Sequence, residues 1–275
     1  MLTLAQFAEQ QKHRGHRIFL HEGVYWNMVY PFYCKPAFIY KPFDRGESRP
    51  PRLRSLLGYD HMVRRPEEGN QWRSWMVLEG ENLSSFGLSR LPSKKRNQVR
   101  RGLEKCEIRP ITDIERNIER IWEISFAAAC RHEDMGRALS PASNFVRDAE
   151  KWKQRAREEH AFPGRDWWGA YVDGQLVAYA RTHQIEEVMV FHQTRVDIAF
   201  SKCYPMDALY FTILEKASQD PACKRIFNGK PMQPSLNHYK GEFLFQAVRF
   251  PCYFSHARFT EMAKKCLPGY WRWVR

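Results

Sequence analysis

Arg96 and Arg100 stand four residues apart in a run that reads as a helix. That spacing puts both side chains on one face, where two guanidinium forks can grip a phosphate or pyrophosphate from the same side. A solvated basic face is the plainer reading of the same pair. Ser93, just ahead of them, is placed to cap the helix, and the unpaired N–H groups of a helix N-terminus favour an anion at that end. Of the 10 histidines, two are candidates for proton work, for which an unperturbed imidazole is suited. His192 lies in a β-rich run, and His132 sits in a polar stretch beside Glu133 and Asp134. For each, a packed or surface histidine competes with a role in moving a proton or holding an acceptor.

The common nucleotide, hydrolase and metalloprotease signatures are missing. No G-x-x-x-x-G-K-[ST], G-x-G-x-x-G, G-x-S-x-G or H-E-x-x-H occurs in the 275 residues. The 7 cysteines are odd in number and scattered, with no C-x-x-C pair, which argues against a disulfide framework and a zinc site and for a reducing compartment. No metal is expected. The first dozen residues carry no apolar stretch like that of a signal peptide, and no window reaches the roughly 18 apolar residues of a membrane span, so a soluble, cytoplasmic protein is expected. Lys and Arg total 44 against 31 acidic residues, a net +13, and a field of that sign draws polyanions such as CoA, tRNA, anionic carrier proteins or membrane surfaces.

The elements that must position these residues follow from hydrophobic periodicity and turn chemistry. Residues 4–11 read as a short helix. Extended segments follow at 16–20 and 24–40, the second broken by Pro31, Pro36 and Pro42. Residues 41–54, rich in Pro, Arg and Gly, read as a loop, and 72–79 as a strand. Pro92 leads into a helix over 94–106 with Val99, Leu103 and Cys106 as its buried stripe and the lysines and arginines, Lys95 among them, on its polar face. Helices are predicted over 114–131 and 142–160 with a polar loop at 131–140 between them. Next come β-rich runs at 167–172 and 175–182 joined by Asp173-Gly174, the strongest short hairpin signal in the chain, and then 188–196. Pro205 opens a helix, 225–228 is a short strand and 243–254 a strongly aromatic one. The tail to Arg275 is predicted helical and then Trp-rich. This order describes an α+β meander with one helix crossing between neighbouring strands.

From Trp167 onward this order resembles the GNAT acyltransferase fold. SKKRNQVRRGLEKCEIRPI (residues 93–111) is similar to the basic helix and strand that open the catalytic domain of Fem-like peptidyltransferases. WWGAYVDGQLVAYA (167–180) matches the hairpin common to both groups. PSLNHYKGEF (234–243) resembles the late aromatic-Lys-x-x-aromatic element of those families. The resemblance covers about residues 84–254 and implies a GNAT-like mixed sheet flanked by helices at 84–275, with a smaller N-terminal α/β region at 1–83 that is a candidate for a partial GNAT-like half. It departs from the family pattern in carrying Gly241 after the lysine and no Gly after Phe245.

The resemblance implies an N-acyltransferase that moves an acyl or aminoacyl group from an activated carrier to an amine. It places Lys240 beside the reacting carbonyl, where an ammonium stabilises the oxyanion of the tetrahedral intermediate. His192 falls in the strand where GNAT enzymes hold a base, Tyr204 and Tyr239 flank the donor end and the acyl pocket, and His132 contacts the acceptor. GNAT enzymes that use CoA cradle its pyrophosphate on a Gly-rich turn, and here SKCYPMDAL (201–209) has no glycine. That favours aminoacyl-tRNA or an acyl-carrier protein over acyl-CoA, with no tightly bound cofactor. Two other readings stay open: a nucleic-acid-binding module using the basic helix, and a catalytically inactive GNAT-like domain.

Overall fold

The computed structural model describes residues 1–134 and 142–255. The predicted C-terminal tail and most of the loop at 131–140 lie outside them. In chain order the elements begin with helix α1 (Leu4–His13) and strands β1 (Ile18–His21), β2 (Val24–Tyr30), β3 (Tyr33–Pro36), β4 (Gly58–Met62) and β5 (Gln71–Glu79). There follow the single turn α2 (Glu81–Ser84), α3 (Ser93–Lys105), β6 (Glu107–Pro110), α4 (Ile118–Asp134), α5 (Ala142–Arg147) and α6 (Ala149–Ala161). The chain continues with β7 (Arg165–Val172), β8 (Gln175–Ile185), β9 (Val188–Val196), α7 (Pro205–Gln219), β10 (Arg225–Phe227), α8 (Pro234–Glu242) and β11 (Gln246–Phe254). Two compact units emerge, one of residues 76–246 and one of residues 2–75 with the chain from Ala247.

In the 76–246 unit the sheet runs β5-β10-β9-β8-β7-β6. All neighbours are antiparallel except β9 and β10, which are parallel and joined by α7. Asp173 and Gly174 both adopt positive φ (50° and 77°), the twist a two-residue hairpin needs, so the β7–β8 connection follows directly from that dipeptide. One sheet face packs against α3 and α7 through residues such as Ala178, Phe191, Leu209 and Ile213. The other packs Trp167, Tyr171 and Tyr179 against Ile121 and Ile124 of α4.

Residues 2–75 and the chain from Ala247 form the second unit, with its strands in the order β1-β2-β3-β4-β11 and β3 parallel to β4. Its core gathers around Trp26, Cys34, Phe43 and Tyr59. Thr3 and Gln6 form a reciprocal capping box that starts α1.

Several expectations change. Strand β4 has no counterpart in the predicted elements: its sequence, GYDHM, is too short and polar to signal a strand, yet all five residues are buried. The helix expected over 142–160 is two, separated at Asp148. Pro92, not Ser93, is the cap residue of α3; Ser93 is already helical and makes no capping bond. The buried stripe of α3 is Lys95, Val99 and Gly102, running to Cys106, while Leu103 is exposed. Finally, the aromatic strand starts at Gln246 because Leu244, at φ 66°, turns the chain first.

Candidate active site

Lys240 lies in α8 with only 5% of its surface exposed, and its Nζ donates to the carbonyl of Asn228 at 2.5 Å. Asn228 is the first residue past β10, and its Nδ2 donates in turn to the Tyr210 hydroxyl of α7 at 3.3 Å. Burial lowers the Lys240 pKa to about 8, because removing water penalises the charged form. Gly229 follows with φ 68°, a conformation that costs a residue with a Cβ. A Cβ there would lie 3.8 Å from the Lys240 Nζ, an ordinary van der Waals contact, so Gly229 borders the ammonium. The parallel strands β9 and β10, the loop after β10 and α8 thus hold one nearly dry cation between the Asn228 carbonyl and Gly229.

A second buried cation sits on the same seam. Lys95 of α3, 2% exposed, is bonded to Asp207 of α7 at 2.7 Å and to Glu242 of α8 at 3.1 Å. Its Nζ also lies 4.3 Å from the Tyr239 ring centroid, a cation–π contact. Burial raises the Asp207 carboxyl, opposed by Lys95 and by the neighbouring Tyr239 hydroxyl, whose own pKa burial pushes well up. Tyr239 and Glu242 flank Lys240 in sequence, so Lys95 clamps α8 on both sides of that residue. Sequence reasoning missed Lys95, although its spacing to Val99 and Gly102 (i, i+4, i+7) follows the buried stripe.

The remaining expected residues scatter. The β8–β9 register shifts at His192: Thr182 pairs with Phe191 and Arg181 with Gln193, a β-bulge. Phe191 stacks on Tyr210 at 5.0 Å, on the α7 face. His192 instead meets the ring of His183 at 6.1 Å. His183 alternates with Tyr179 and Arg181, which face the α4 and α6 side. His192 therefore stands on the opposite face of the sheet from Lys240, exposed, and the two do not converge. His132 is exposed in the last turn of α4, on the far side as well.

Tyr204 caps α7 in a left-handed conformation (φ 54°), and its carbonyl lies against Gly102 of α3, where a Cβ would come within 2.6 Å. Tyr239 belongs to the Lys95 cluster further along the seam. Arg96 is half-buried and Arg100 exposed on the outer side of α3 with Lys94, Arg101 and Lys105. Unlike Lys95, none of these five is held by a described carboxylate.

The N-terminus of α7 lacks a phosphate cradle. Pro205 has no N–H, and beyond Met206 the N–H groups of Asp207 and Ala208 both donate to the Tyr204 carbonyl at 3.1 and 3.2 Å. The Asp207 carboxylate in that first turn further opposes an anion.

No protein-family model matches the sequence, and no curated protein matches it. Solved structures do. The C-terminal domain of a protein assigned as a lysylphosphatidylglycerol synthetase from Agrobacterium fabrum superposes with a TM-score of 0.61 over 96% of each chain, at 9% identity. FemX gives 0.61 over 95% of this chain and 94% of its own, at 10% identity. L-PGS from Bacillus licheniformis gives 0.55 over 97% and 92%, at 12% identity. The chain has a GNAT-like α+β fold, a mixed sheet flanked by helices, similar to these solved structures.

Proposed function

We propose that this chain is an N-acyltransferase that moves an acyl or aminoacyl group from a polyanionic carrier, aminoacyl-tRNA or an acylated carrier protein ahead of acyl-CoA, to the amine of a small molecule or peptide. The observation that carries this reading is the buried Lys240 ammonium, held by α8 against the Asn228 carbonyl and beside Gly229. A carbonyl whose oxygen lies there would develop its negative charge against a cation already stripped of water, the condition in which such a group stabilises a tetrahedral intermediate most. The acceptor nitrogen forms the new C–N bond, the bond from the carbonyl carbon to the carrier's oxygen or sulfur breaks, and the amine proton leaves with that oxygen or sulfur. His192 stands on the other face and takes no part in this route. The fold relationship to FemX and L-PGS supports the class of reaction, and the blocked N-terminus of α7 supports a donor other than CoA.

The test is Lys240→Ala assayed against a panel of charged tRNAs, acylated carrier proteins and acyl-CoAs. Turnover should fall about a hundredfold with the fold intact, the scale of losing one oxyanion stabiliser. The ammonium must be protonated to act, so the wild-type rate should decline as pH rises through about 8, and this limb should vanish in the variant. Because the folded pKa lies below the ordinary lysine value, keeping the charge costs stability at lower pH. That cost is relieved between about 8 and the ordinary lysine value of 10.5. Wild-type turnover in Lys240→Ala with a confirmed substrate pair removes Lys240 from catalysis.

A further inference from the structure

One edge of the N-terminal unit exposes large apolar side chains side by side. Phe32 closes the connection between β2 and β3 with φ 63°, and 45% of it is exposed. A residue with a Cβ pays on the order of 1 kcal/mol for that left-handed conformation, which glycine adopts freely. The fold therefore keeps a strained phenylalanine with nearly half of its surface in solvent, a pattern that points to use beyond packing.

The Phe32 carbonyl accepts the Leu57 N–H at 2.8 Å, and the Cys34 thiol donates to the Arg54 carbonyl at 3.3 Å. These bonds lay segment 52–57 alongside the Phe32 turn, with Leu53 80% and Leu56 57% exposed. Val29, at the end of β2, is exposed on the same edge. Single exposed apolar residues are ordinary, but a group gathered on one edge marks an interaction surface.

Arginines frame the group. Arg52 and Arg54 are exposed on the same turn as Leu53, and the Arg54 guanidinium lies 4.4 Å over the Phe19 ring. Arg14 and Arg17 are exposed on the chain entering β1, which the Met28 N–H ties to the end of β2 through the Arg17 carbonyl at 3.0 Å. Neither segment 14–17 nor segment 49–57 contains an acidic residue.

From these placements we infer that this edge docks on an anionic lipid surface. Phe32, Leu53 and Leu56 enter the boundary between headgroups and acyl chains, and Arg17 and Arg52 sit against the lipid phosphates. Apolar insertion ringed by arginine is the combination that holds a protein to such a surface. A nucleic acid would satisfy the arginines and leave the leucines without partners. A second copy meeting through the same edge would bring like charges together. Lipid docking stands apart from the acyl-transfer reading, because none of its residues belongs to the Lys240 site.

The experiment is cosedimentation of the full chain with phosphatidylcholine vesicles, with and without phosphatidylserine, at low and raised salt. Wild type should bind the anionic vesicles at least about tenfold better than the neutral ones, and salt should weaken binding. The Leu53→Asp, Leu56→Asp double variant should lose at least about tenfold, since each leucine contributes several buried CH2 groups. Phe32→Gly should weaken binding while leaving Tm unchanged or raised, because it removes the strained Cβ; a packing role for Phe32 would lower Tm instead. No wild-type binding to anionic vesicles overturns the inference, as does a leucine double variant that binds them like wild type. It also fails if random-sequence RNA binds in place of vesicles, or if sedimentation reveals a dimer that the leucine variant splits without any vesicle binding.

Discussion

The Lys95 side chain carries its charge in a nearly dry setting because two carboxylates from two other helices meet it there. A buried cation of this kind is costly to strand and costly to remove, since deleting it leaves Asp207 and Glu242 without their counter-charge. Lys95→Met should therefore lower the free energy of unfolding by about 3–5 kcal/mol near neutral pH. The loss should shrink as pH falls. Without the ammonium, the burial that already raises Asp207 acts unopposed, and a carboxylate raised above its unfolded value regains stability as it protonates. Urea unfolding at neutral and mildly acidic pH measures this, and a deficit of equal size at both would mean the variant suffers from packing alone. In the sequence Lys95 is one lysine in a run of basic residues, and residue type argued for solvent although its spacing to Val99 and Gly102 argued for burial. Lys240 was singled out only through the resemblance of the segment 234–243 to a family element. Its partner, a backbone carbonyl 12 residues earlier, leaves no mark in side-chain pattern.

At the scale of elements, α3 and α7 meet where Gly102 faces the Tyr204 carbonyl and Ala208. In an exposed helix Gly→Ala gains about 1 kcal/mol from propensity alone. Here the new Cβ would sit 2.6 Å from the Tyr204 carbonyl oxygen and 3.0 Å from the Ala208 Cβ, so the helices would have to separate or bend. Gly102→Ala should destabilise by about 1–3 kcal/mol net, the usual cost of overpacking. A raised Tm would show that the seam has slack. The elements legible in sequence were those written in local chemistry: the Asp173-Gly174 hairpin, the Pro205 start of α7, the proline breaks among the N-terminal strands. Strand β4 was not, because Asp60 and His61 look like loop residues until their partners are placed. Asp60 accepts from the Tyr33 hydroxyl at 2.7 Å and pairs with Arg73, while His61 stacks on Phe43 at 4.1 Å. Those contacts span up to 27 residues of chain, and no local window contains them.

Across the whole molecule the +13 charge is unevenly used. Many arginines and lysines are spent on internal carboxylates, such as Arg120 on Asp197 and Glu123 or Arg157 on Glu115. The outer side of α3 is not: Lys94, Arg96, Arg100, Arg101 and Lys105 meet no described carboxylate. The opposite holds at α7, where the N–H groups of Asp207 and Ala208 are consumed by Tyr204 and a carboxylate occupies the first turn. Free CoA asks for the second kind of site and an extended polyanion for the first. Acetyl-CoA should therefore bind no tighter than roughly 0.1 mM, an affinity of about 5 to 6 kcal/mol. Charged tRNA or an acylated carrier protein should bind at least about tenfold better at low salt. Replacing Arg96 and Arg100 together with alanine should weaken the polyanion and lower the slope of log affinity against log salt by about one unit per lost phosphate contact. Acetyl-CoA affinity should stay the same in that variant. Calorimetry across a salt series reads all three quantities. Micromolar acetyl-CoA binding with no measurable affinity for either polyanion would place this chain among ordinary CoA-dependent enzymes and return the α3 arginines to a solvated surface.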